Sequence, residues 1–291
     1  QFRPSYADAY VNLAHTLRKN GQLGDAIKAC RDALATTPDY TKAQIELANL
    51  NRQACGWDTY DADMRYLLSK IQDVEPFLIL SAPSSLAEQH LCAQRWAARY
   101  THIPQTAHDK SRQPYRLRIG YLSSDFHLHA TSFLMAELFE RHDRQRFEIF
   151  GYSYDSDDDS DIRKRVVKGF DHFVDFFGTS SEDAVSRIVN DKIDILVDLK
   201  GYTNGARTEI MAARPAPIQA NYVGYPGTMG AGFIDYIIAD PYVAPMSDQP
   251  YYTEKIVHLP HCYQPNDSKR EISSLMQSKK DCGLPEEGFV F

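Results

Sequence analysis

The sequence contains few cysteines, and no two of them form a Cys-x-x-Cys pair. Its 291 residues include five, an odd number with wide spacings. A disulfide framework is therefore not expected, and reduced thiols are the better interpretation. Residues 1–6 also lack a signal-peptide pattern. Together these features predict a cytoplasmic protein.

Long apolar runs and an excess of positive charge are also missing. No segment approaches the roughly 18 consecutive apolar residues of a membrane-spanning helix. The formal net charge is −7, opposite in sign to a typical nucleic-acid-binding surface. We therefore expect neither a membrane nor a nucleic acid as a partner. Hydrophobic residues make up 43% of the chain, which is enough for about two domains.

An internal repeat is present near the start of the chain. Residues 4–10 (PSYADAY) recur as residues 38–44 (PDYTKAQ), an offset of 34 residues, and the Leu-Ala pair at 13–14 recurs at 47–48. Small residues between them allow two helices to pack closely, and Pro38 ends the second helix. This period is typical of tetratricopeptide repeats. An ordinary helical hairpin is the alternative.

The repeat suggests how the chain is divided. Residues 1–50 are predicted to be the end of a longer tetratricopeptide array, and residues 51–115 a helical cap and linker. About three repeats are needed for a stable stack, so we expect the natural protein to extend N-terminally. Residues 116–285 are predicted to form an α/β domain. Residues 286–291 are interpreted as the first strand of a further domain.

Strand-like and helix-like segments alternate after Arg116. The predicted strands are residues 117–122, 147–154, 172–175, 193–198, 218–223, 236–238 and 256–257. Helical spacing separates the first five, which implies a parallel, doubly wound sheet with right-handed crossovers. Such sheets bind ligands beyond the carboxyl ends of their strands. The loops that follow strands are therefore the first candidates for a site.

The loop after the first strand, residues 123–132 (SSDFHLHATS), contains the strongest candidates. It opens a helix, whose N-terminus favours an anion. Asp125 and His129 place a carboxylate and an imidazole together, as proton transfer or charge stabilisation requires. A plain capping loop is one alternative. Metal binding by Asp125, His127 and His129 is another, disfavoured because no third His or Cys ligand is close in sequence.

Two glycine-containing loops follow later strands. Residues 200–207 (KGYTNGAR) place Arg207 at a helix start, where a phosphate can bind. Residues 223–230 (VGYPGTMG) have three glycines, which let a ligand approach the backbone. Neither loop contains GxGxxG or a Walker pattern, so dinucleotide binding and ATP hydrolysis are not supported. A structural turn and a rigid connection are the respective alternatives.

An acidic stretch, residues 155–161 (DSDDDSD), follows the second predicted strand. It lacks the glycine and the terminal glutamate of an EF-hand calcium loop. We interpret it as a solvated loop that caps the next helix.

Taken together, these segments resemble the O-linked N-acetylglucosamine (O-GlcNAc) transferase family, in its bacterial-type form with N-terminal tetratricopeptide repeats. The matching segments are residues 55–61, 118–126, 201–207, 214–219, 224–228 and 235–240. The resemblance implies a GT-B architecture, in which two Rossmann-like domains enclose the active site. It covers the repeats and the N-terminal Rossmann-like half. The C-terminal catalytic half is not in this sequence, so we expect this fragment alone to be inactive.

The resemblance also implies an activity and a set of site residues. The family transfers N-acetylglucosamine from UDP-GlcNAc to Ser or Thr hydroxyls with inversion and without a metal or other cofactor. By motif position, the catalytic residues are His129 and Asp125. The implied substrate-binding residues are Thr131, Val223, Gly224, Tyr202 and Arg207.

The sequence departs from the family pattern at two places. Ala130 stands where the family usually has proline, which loosens the loop but removes no functional group. Phe77-Leu78 occupy the place of a histidine pair found in animal members, so a proton-accepting role there is not supported.

The implied partners are a nucleotide-sugar donor and a protein or peptide acceptor held by the repeats, and a homo-oligomer is left open. Two other functions also remain open. One is a plant-type protein O-fucosyltransferase that uses GDP-fucose, and the other is a non-catalytic tetratricopeptide scaffold.

Overall fold

The computed structural model describes residues 6–108, 115–275 and 277–290. The helices in these ranges are α1 (Tyr6–Lys19), α2 (Leu23–Thr36), α3 (Thr41–Gln53), α4 (Tyr60–Ser69), α5 (Pro76–Leu80), α6 (Leu86–Ala97), α7 (Ala130–Arg141), α8 (Asp161–Lys168), α9 (Ser181–Asn190) and α10 (Thr208–Ala212). The strands are β1 (Leu117–Ser123), β2 (Phe147–Ser153), β3 (His172–Asp175), β4 (Ile195–Asp198), β5 (Ile218–Tyr222), β6 (Tyr236–Ala239) and β7 (Lys255–His258). Short 3-10 helices lie at Ala98–Tyr100 and Met246–Tyr251.

Small side chains hold the first helices together. Helices α1 and α2 form a hairpin, and α3 packs against α2. Ala14, Ala26, Ala29 and Cys30 are buried in one cluster with Leu50, so the helix axes approach closely without leaving voids. A helix pair followed by a third helix packed on it agrees with the predicted tetratricopeptide repeat.

A second helical layer, α4 to α6, continues from the hairpin. Met64, Leu67 and Ile79 are buried together between these helices. Helix α6 begins with a capping box, in which Ser85 and Glu88 each accept a hydrogen bond from the backbone N–H of the other. These bonds satisfy donors that a helix start otherwise leaves unpaired.

All seven strands form one sheet in the order β3-β2-β1-β4-β5-β6-β7, and every neighbouring pair is parallel. Helices α7 and α8 pack on one face around Met135 and Phe139. Helices α9 and α10 pack on the other face around Ile188 and Ile210. The predicted doubly wound α/β domain is confirmed.

The helical part and the α/β domain share packing. Ala93 and Ala97 of α6 belong to the same buried cluster as α9 and α10. The ring of Phe77, in α5, lies 6.3 Å from the ring of Tyr225, in the loop after β5. The loop after β5 is therefore in contact with both parts of the molecule.

The expected start of a further domain at residues 286–291 stays a prediction. Gly288–Val290 form no strand, and Phe291 lies outside the described residues. A strand needs a neighbouring strand to complete its hydrogen bonds, and the described residues offer none there. The boundaries proposed from the sequence remain predictions.

Within the part of the chain that the structure describes, no helix combines the length and the apolar character needed to cross a membrane.

Candidate active site

The strand order places a topological switch point between β1 and β4, and the space beyond the carboxyl ends of these strands is called the crevice. The chain leaves β1 for α7 on one face of the sheet and leaves β4 for α10 on the other. The two loops therefore diverge just beyond the carboxyl ends of adjacent strands. This switch point is where doubly wound sheets bind ligands.

A buried ion pair joins the two loops. The Nζ atom of Lys200 lies 2.8 and 2.9 Å from the two carboxylate oxygens of Asp125. Both residues are only 5% exposed. Ser124 Oγ donates a further hydrogen bond to Asp125 Oδ1 at 2.9 Å. The Asp125 carboxylate is thus held by partners on both loops.

Lys200 is the site residue that sequence reasoning missed. It was assigned only to a loop, and no role was given to its side chain. One signal was available, because a lysine directly follows the apolar strand segment 193–199. A charge at the carboxyl end of a buried strand is costly unless it is paired.

Asp198, the last residue of β4, fixes the backbone of this second loop. Its carboxylate accepts hydrogen bonds from the backbone N–H groups of Lys200 at 2.9 Å and Gly201 at 3.1 Å. Burial raises the Asp198 pKa to about 6, although both N–H groups and the Lys200 ammonium favour the ionised form. The carboxyl group therefore holds the loop that presents Lys200.

His129 lies at the mouth of the crevice as the N-cap of α7. Its Nδ1 accepts a hydrogen bond from the Thr131 backbone N–H at 3.2 Å and lies 3.7 Å from an Asp125 oxygen. Burial lowers the His129 pKa, Lys200 acts in the same direction, and Asp125 opposes both. The side chain is still 43% exposed, so it is accessible to a ligand. Thr131 itself is buried.

The acidic stretch, residues 155–161, forms hydrogen bonds and ion pairs that hold the first loop. The interpretation of this stretch as a solvated loop did not predict these contacts. Asp158 accepts a hydrogen bond from the Leu128 backbone N–H at 2.7 Å. Buried Arg163, in α8, donates to the Phe126 carbonyl at 2.9 Å and pairs with Asp157 and Asp175. The predicted helix cap is also present, because Ser160 caps α8. The loops after β1 and β2 are thus tied to each other and to the end of β3.

The second loop, residues 200–207, contains two predicted site residues, Tyr202 and Arg207, which have different environments. Tyr202 is 6% exposed, and its hydroxyl donates to the Met229 carbonyl at 2.7 Å. The Tyr202 hydroxyl is therefore paired inside the core, and the predicted role of this residue in substrate binding stays a prediction. Arg207 is half-buried beside the loop, where its guanidinium donates to Ser181 Oγ and lies over the Tyr154 ring.

The third loop, residues 223–230 after β5, is strained at Val223, which has a φ of +67°. The Gly224 N–H donates to the Tyr222 carbonyl at 2.9 Å across Val223. This is a γ-turn, and positive φ is costly for a β-branched residue. A Cβ on Gly224 would lie 2.1 Å from the Leu199 carbonyl oxygen, so only glycine fits against the second loop. Strain of this kind is often kept at binding sites.

The buried carboxyl group of Glu254 holds the same loop by hydrogen bonds. Glu254 accepts hydrogen bonds from the Thr228 hydroxyl at 2.7 Å and the Met229 backbone N–H at 2.8 Å. Burial raises its pKa. Sequence reasoning missed Glu254, which precedes β7 and carries no motif.

The structure thus brings together Asp125, His129 and Lys200 across the β1 and β4 loops, with Gly224 packed against the same place. No group of three or more His, Cys, Asp or Glu side chains among the described residues is arranged to hold a metal ion.

These features define a class of protein: helical repeats joined to a doubly wound α/β domain with a polar ligand crevice at its switch point. The profile of glycosyl transferase family 41 matches residues 81–281, and a tetratricopeptide repeat profile matches residues 7–50. The chain therefore belongs to glycosyl transferase family 41.

Curated relatives agree with this assignment. The probable UDP-N-acetylglucosamine–peptide N-acetylglucosaminyltransferase SEC of Arabidopsis thaliana is 47% identical over 182 residues, covering 60% of this chain and 18% of the relative. The UDP-N-acetylglucosamine–peptide N-acetylglucosaminyltransferase of Caenorhabditis elegans is 36% identical over 242 residues, or 76% and 21% of the two chains. A protein of Arabidopsis thaliana with the same probable activity, SPINDLY, is 34% identical over 174 residues, or 58% and 19%. The chain spans about a fifth of these relatives' length.

A solved structure is similar in fold. A variant of the Thermobaculum terrenum O-GlcNAc transferase superposes with a TM-score of 0.61 at 24% identity. The superposition covers 91% of this chain and 60% of that one. The predicted fold class is confirmed: a tetratricopeptide-type segment followed by the Rossmann-like N-terminal half of a GT-B glycosyltransferase.

Proposed function

We propose that the protein containing this chain is an inverting glycosyltransferase that moves N-acetylglucosamine from UDP-GlcNAc to Ser or Thr hydroxyls of proteins. The observation that carries the proposal is the crevice formed by Asp125, Lys200 and His129 at the switch point of a family 41 chain. The activities for which these relatives are named support this donor. Identity is higher to SEC, at 47%, than to SPINDLY, at 34%.

The reaction exchanges one bond at the sugar. The acceptor oxygen bonds to the anomeric carbon from the face opposite the diphosphate, and the carbon–oxygen bond to the diphosphate breaks. UDP leaves with the electron pair, and the acceptor proton passes to a base or to water. In this proposal His129 and the γ-turn at Val223 contact the sugar and its diphosphate, because both lie at the crevice and remain partly exposed. We propose that this step uses no metal, as the family resemblance implies.

The acceptor is proposed to approach along the repeats. A cavity of about 1010 Å³ lies between α1, α3, α5, α6 and the second loop, and it reaches Tyr202 and Asn204. Its lining carries both signs of charge, including Arg18, Glu46 and Lys42. Such a lining suits an extended polypeptide with hydroxyl side chains better than a small apolar ligand.

The test uses the full-length protein, UDP-GlcNAc with a labelled sugar, and an acceptor peptide. We expect transfer that survives EDTA and is competed by UDP rather than GDP. His129→Ala should lower the rate at least about tenfold, and the present fragment alone should show no turnover. Competition by GDP instead of UDP would point to a fucosyl donor. Binding of peptides without any transfer would point to a scaffold.

A cytoplasmic location is part of the same proposal. All five cysteines are free of disulfides, and Cys30 and Cys92 are buried. Burial raises the pKa of both thiols to about 12, so neither is reactive. Fractionation of cells that produce the tagged full-length protein tests the compartment.

A further inference from the structure

We propose that Lys200 is a positioning residue that clamps Asp125 and thereby keeps His129 neutral, with its Nε2–H available as a hydrogen-bond donor in the crevice. The inference rests on the proposed function, since it assigns work to a residue of the same site. It also revises the catalytic role implied for Asp125 to that of a carboxylate held in place by its partners.

The clamp is rigid because both of its sides are fixed by backbone contacts. On one side, the Asp125 backbone N–H donates to Ser123 Oγ at 2.9 Å, and its carbonyl accepts from Ser132 Oγ at 2.7 Å. On the other side, Asp198 accepts from the Lys200 backbone N–H. The lysine stem is buried between the two strand ends. The pair therefore sets the distance between the loops that enclose the crevice.

Burial lowers the pKa of His129, and its contact with Thr131 also favours the neutral form. Its Nδ1 accepts the Thr131 N–H, and a proton on Nδ1 would face that donor. The imidazole also caps the positive end of α7, where a cation is disfavoured. Asp125 is the nearby group that favours a cation, and Lys200 offsets its charge. With Nδ1 unprotonated, the ring proton belongs on Nε2, which has no hydrogen-bond partner among the described residues.

Other charged groups around the ring do not replace Lys200. His127 is in the same loop, its ring 5.5 Å from the His129 ring, and it disfavours a second cation. Asp155 and Asp158 contact His127 and the Leu128 N–H, on the far side of the loop. Behind the pair, Asp198 is turned toward backbone N–H groups. Lys200 is the cation that pairs with Asp125.

The resulting geometry separates two roles. The Asp125 carboxylate, with a bidentate ammonium and the Ser124 hydroxyl as partners, is poorly placed to accept a proton from the acceptor. A neutral His129 donates from Nε2 to an oxygen of the sugar or of the leaving diphosphate. A bond to the leaving diphosphate strengthens as negative charge develops on its oxygen.

The test measures His129 by ¹⁵N NMR in full-length protein labelled at histidine, alongside transfer kinetics. We expect the Nε2–H tautomer in the parent. Lys200→Met should raise the His129 pKa by about 1 or more and lower kcat at least about tenfold. Asp125→Asn/Lys200→Met should return the His129 pKa close to that of the parent. Lys168→Met, which removes an exposed lysine from α8, is the matched control and should change neither quantity.

Three outcomes would overturn the inference: an Nδ1–H tautomer in the parent, an unchanged His129 pKa in folded Lys200→Met, or full activity of that variant. If Lys200→Met does not fold, the Asp125→Asn/Lys200→Met variant tests the inference, since it removes both charges of the buried pair. A His129 pKa in the double variant far from the parent value would then contradict the proposal. The NMR readout needs no turnover, so absence of transfer by the parent would reject the proposed function while leaving the ionisation result readable.

Discussion

Burial decides what each polar side chain near the crevice does. Asp125 and Lys200 are both buried, and each is tolerated because it neutralises the other. Tyr202 is also buried and uses its hydroxyl inside the core. His129 keeps about two-fifths of its surface exposed, which leaves it the side chain best placed to meet a ligand. Residue type alone did not distinguish these outcomes.

His142 makes the pH dependence of stability testable. Burial lowers its folded pKa to about 4, from an ordinary value of 6.5, and its Nε2 is hydrogen-bonded to the Tyr121 hydroxyl at 2.8 Å. The unfolded chain therefore binds the proton more tightly, so stability is present above pH 6.5 and is lost as the pH falls toward 4. His142→Gln should reduce this pH-dependent loss of unfolding free energy by about 2 kcal/mol, a figure lowered because the histidine is partly exposed.

The measurement is urea unfolding at several pH values between 4 and 7, for the parent and for His142→Gln. The two curves should diverge toward low pH. Parallel curves would show that His142 is not the group responsible.

Arg163 offers a residue-scale test of the contacts behind His129. Arg163→Met removes the bond to the Phe126 carbonyl and the pairing with Asp157 and Asp175. We expect a loss of about 3 kcal/mol in the free energy of unfolding, because the arginine is buried. Arg187→Met removes an exposed arginine that pairs with Asp191; because Asp191 keeps its hydrogen bond from the Tyr152 hydroxyl, the cost should be at most about 0.5 kcal/mol. Equal losses for the two variants would contradict the assignment.

At the scale of elements, the three loops at the site contact one another directly. Gly224 packs on the Leu199 carbonyl, and a Cβ on Gly201 would lie 2.4 Å from the Tyr225 side chain. The second and third loops are therefore one packed unit. The first loop joins it through the Asp125–Lys200 pair.

Gly224→Ala tests this unit. The added Cβ would lie 2.1 Å from a backbone oxygen, so the γ-turn at Val223 has to move. We expect a loss of at least about 2 kcal/mol in stability and a large drop in transfer by the full-length protein. Gly232→Ala, which has nothing within 4 Å of its Cβ and no positive φ, should stay within about 0.5 kcal/mol of the parent. Wild-type behaviour of Gly224→Ala in melts and kinetics would refute the close packing.

At the scale of the whole molecule, the helices that follow the repeats are attached directly to the α/β domain. Helix α6 belongs to the core of the α/β domain, and α5 reaches the loop after β5. A path along the repeats therefore ends at the second and third loops. This continuity explains why the cavity between the helices is lined by Tyr202 and Asn204 as well as by α1 and α3.

Gly230→Ala should weaken that attachment. At a φ of +58°, its Cβ would lie 2.4 Å from the Gln94 backbone nitrogen in α6. We expect unfolding by heat to separate into two transitions, because the helical part and the α/β domain lose their shared contact. Gly24→Ala, at an open position in α2, should leave the transition single. A single, unshifted transition for Gly230→Ala would show that this contact does not couple the two parts.

The sequence by itself determined the elements and the loops that follow them. The 34-residue repeat and the alternation after Arg116 were enough, because hydrophobic periodicity and turn residues act over short distances. They also placed Asp125 and His129 in one loop, since those residues are neighbours in the chain. No such local rule reports which loops meet or which side chains become buried.

Only the tertiary structure decided the rest of the site. Asp125 and Lys200 are separated by 75 positions, and they pair because β1 and β4 are adjacent in the sheet. The burial of Tyr202, the strain at Val223 and the support from Glu254 depend likewise on what packs around each residue. Strand order and packing are set by the whole chain, and for that reason the lysine that completes the crevice emerged only with the fold.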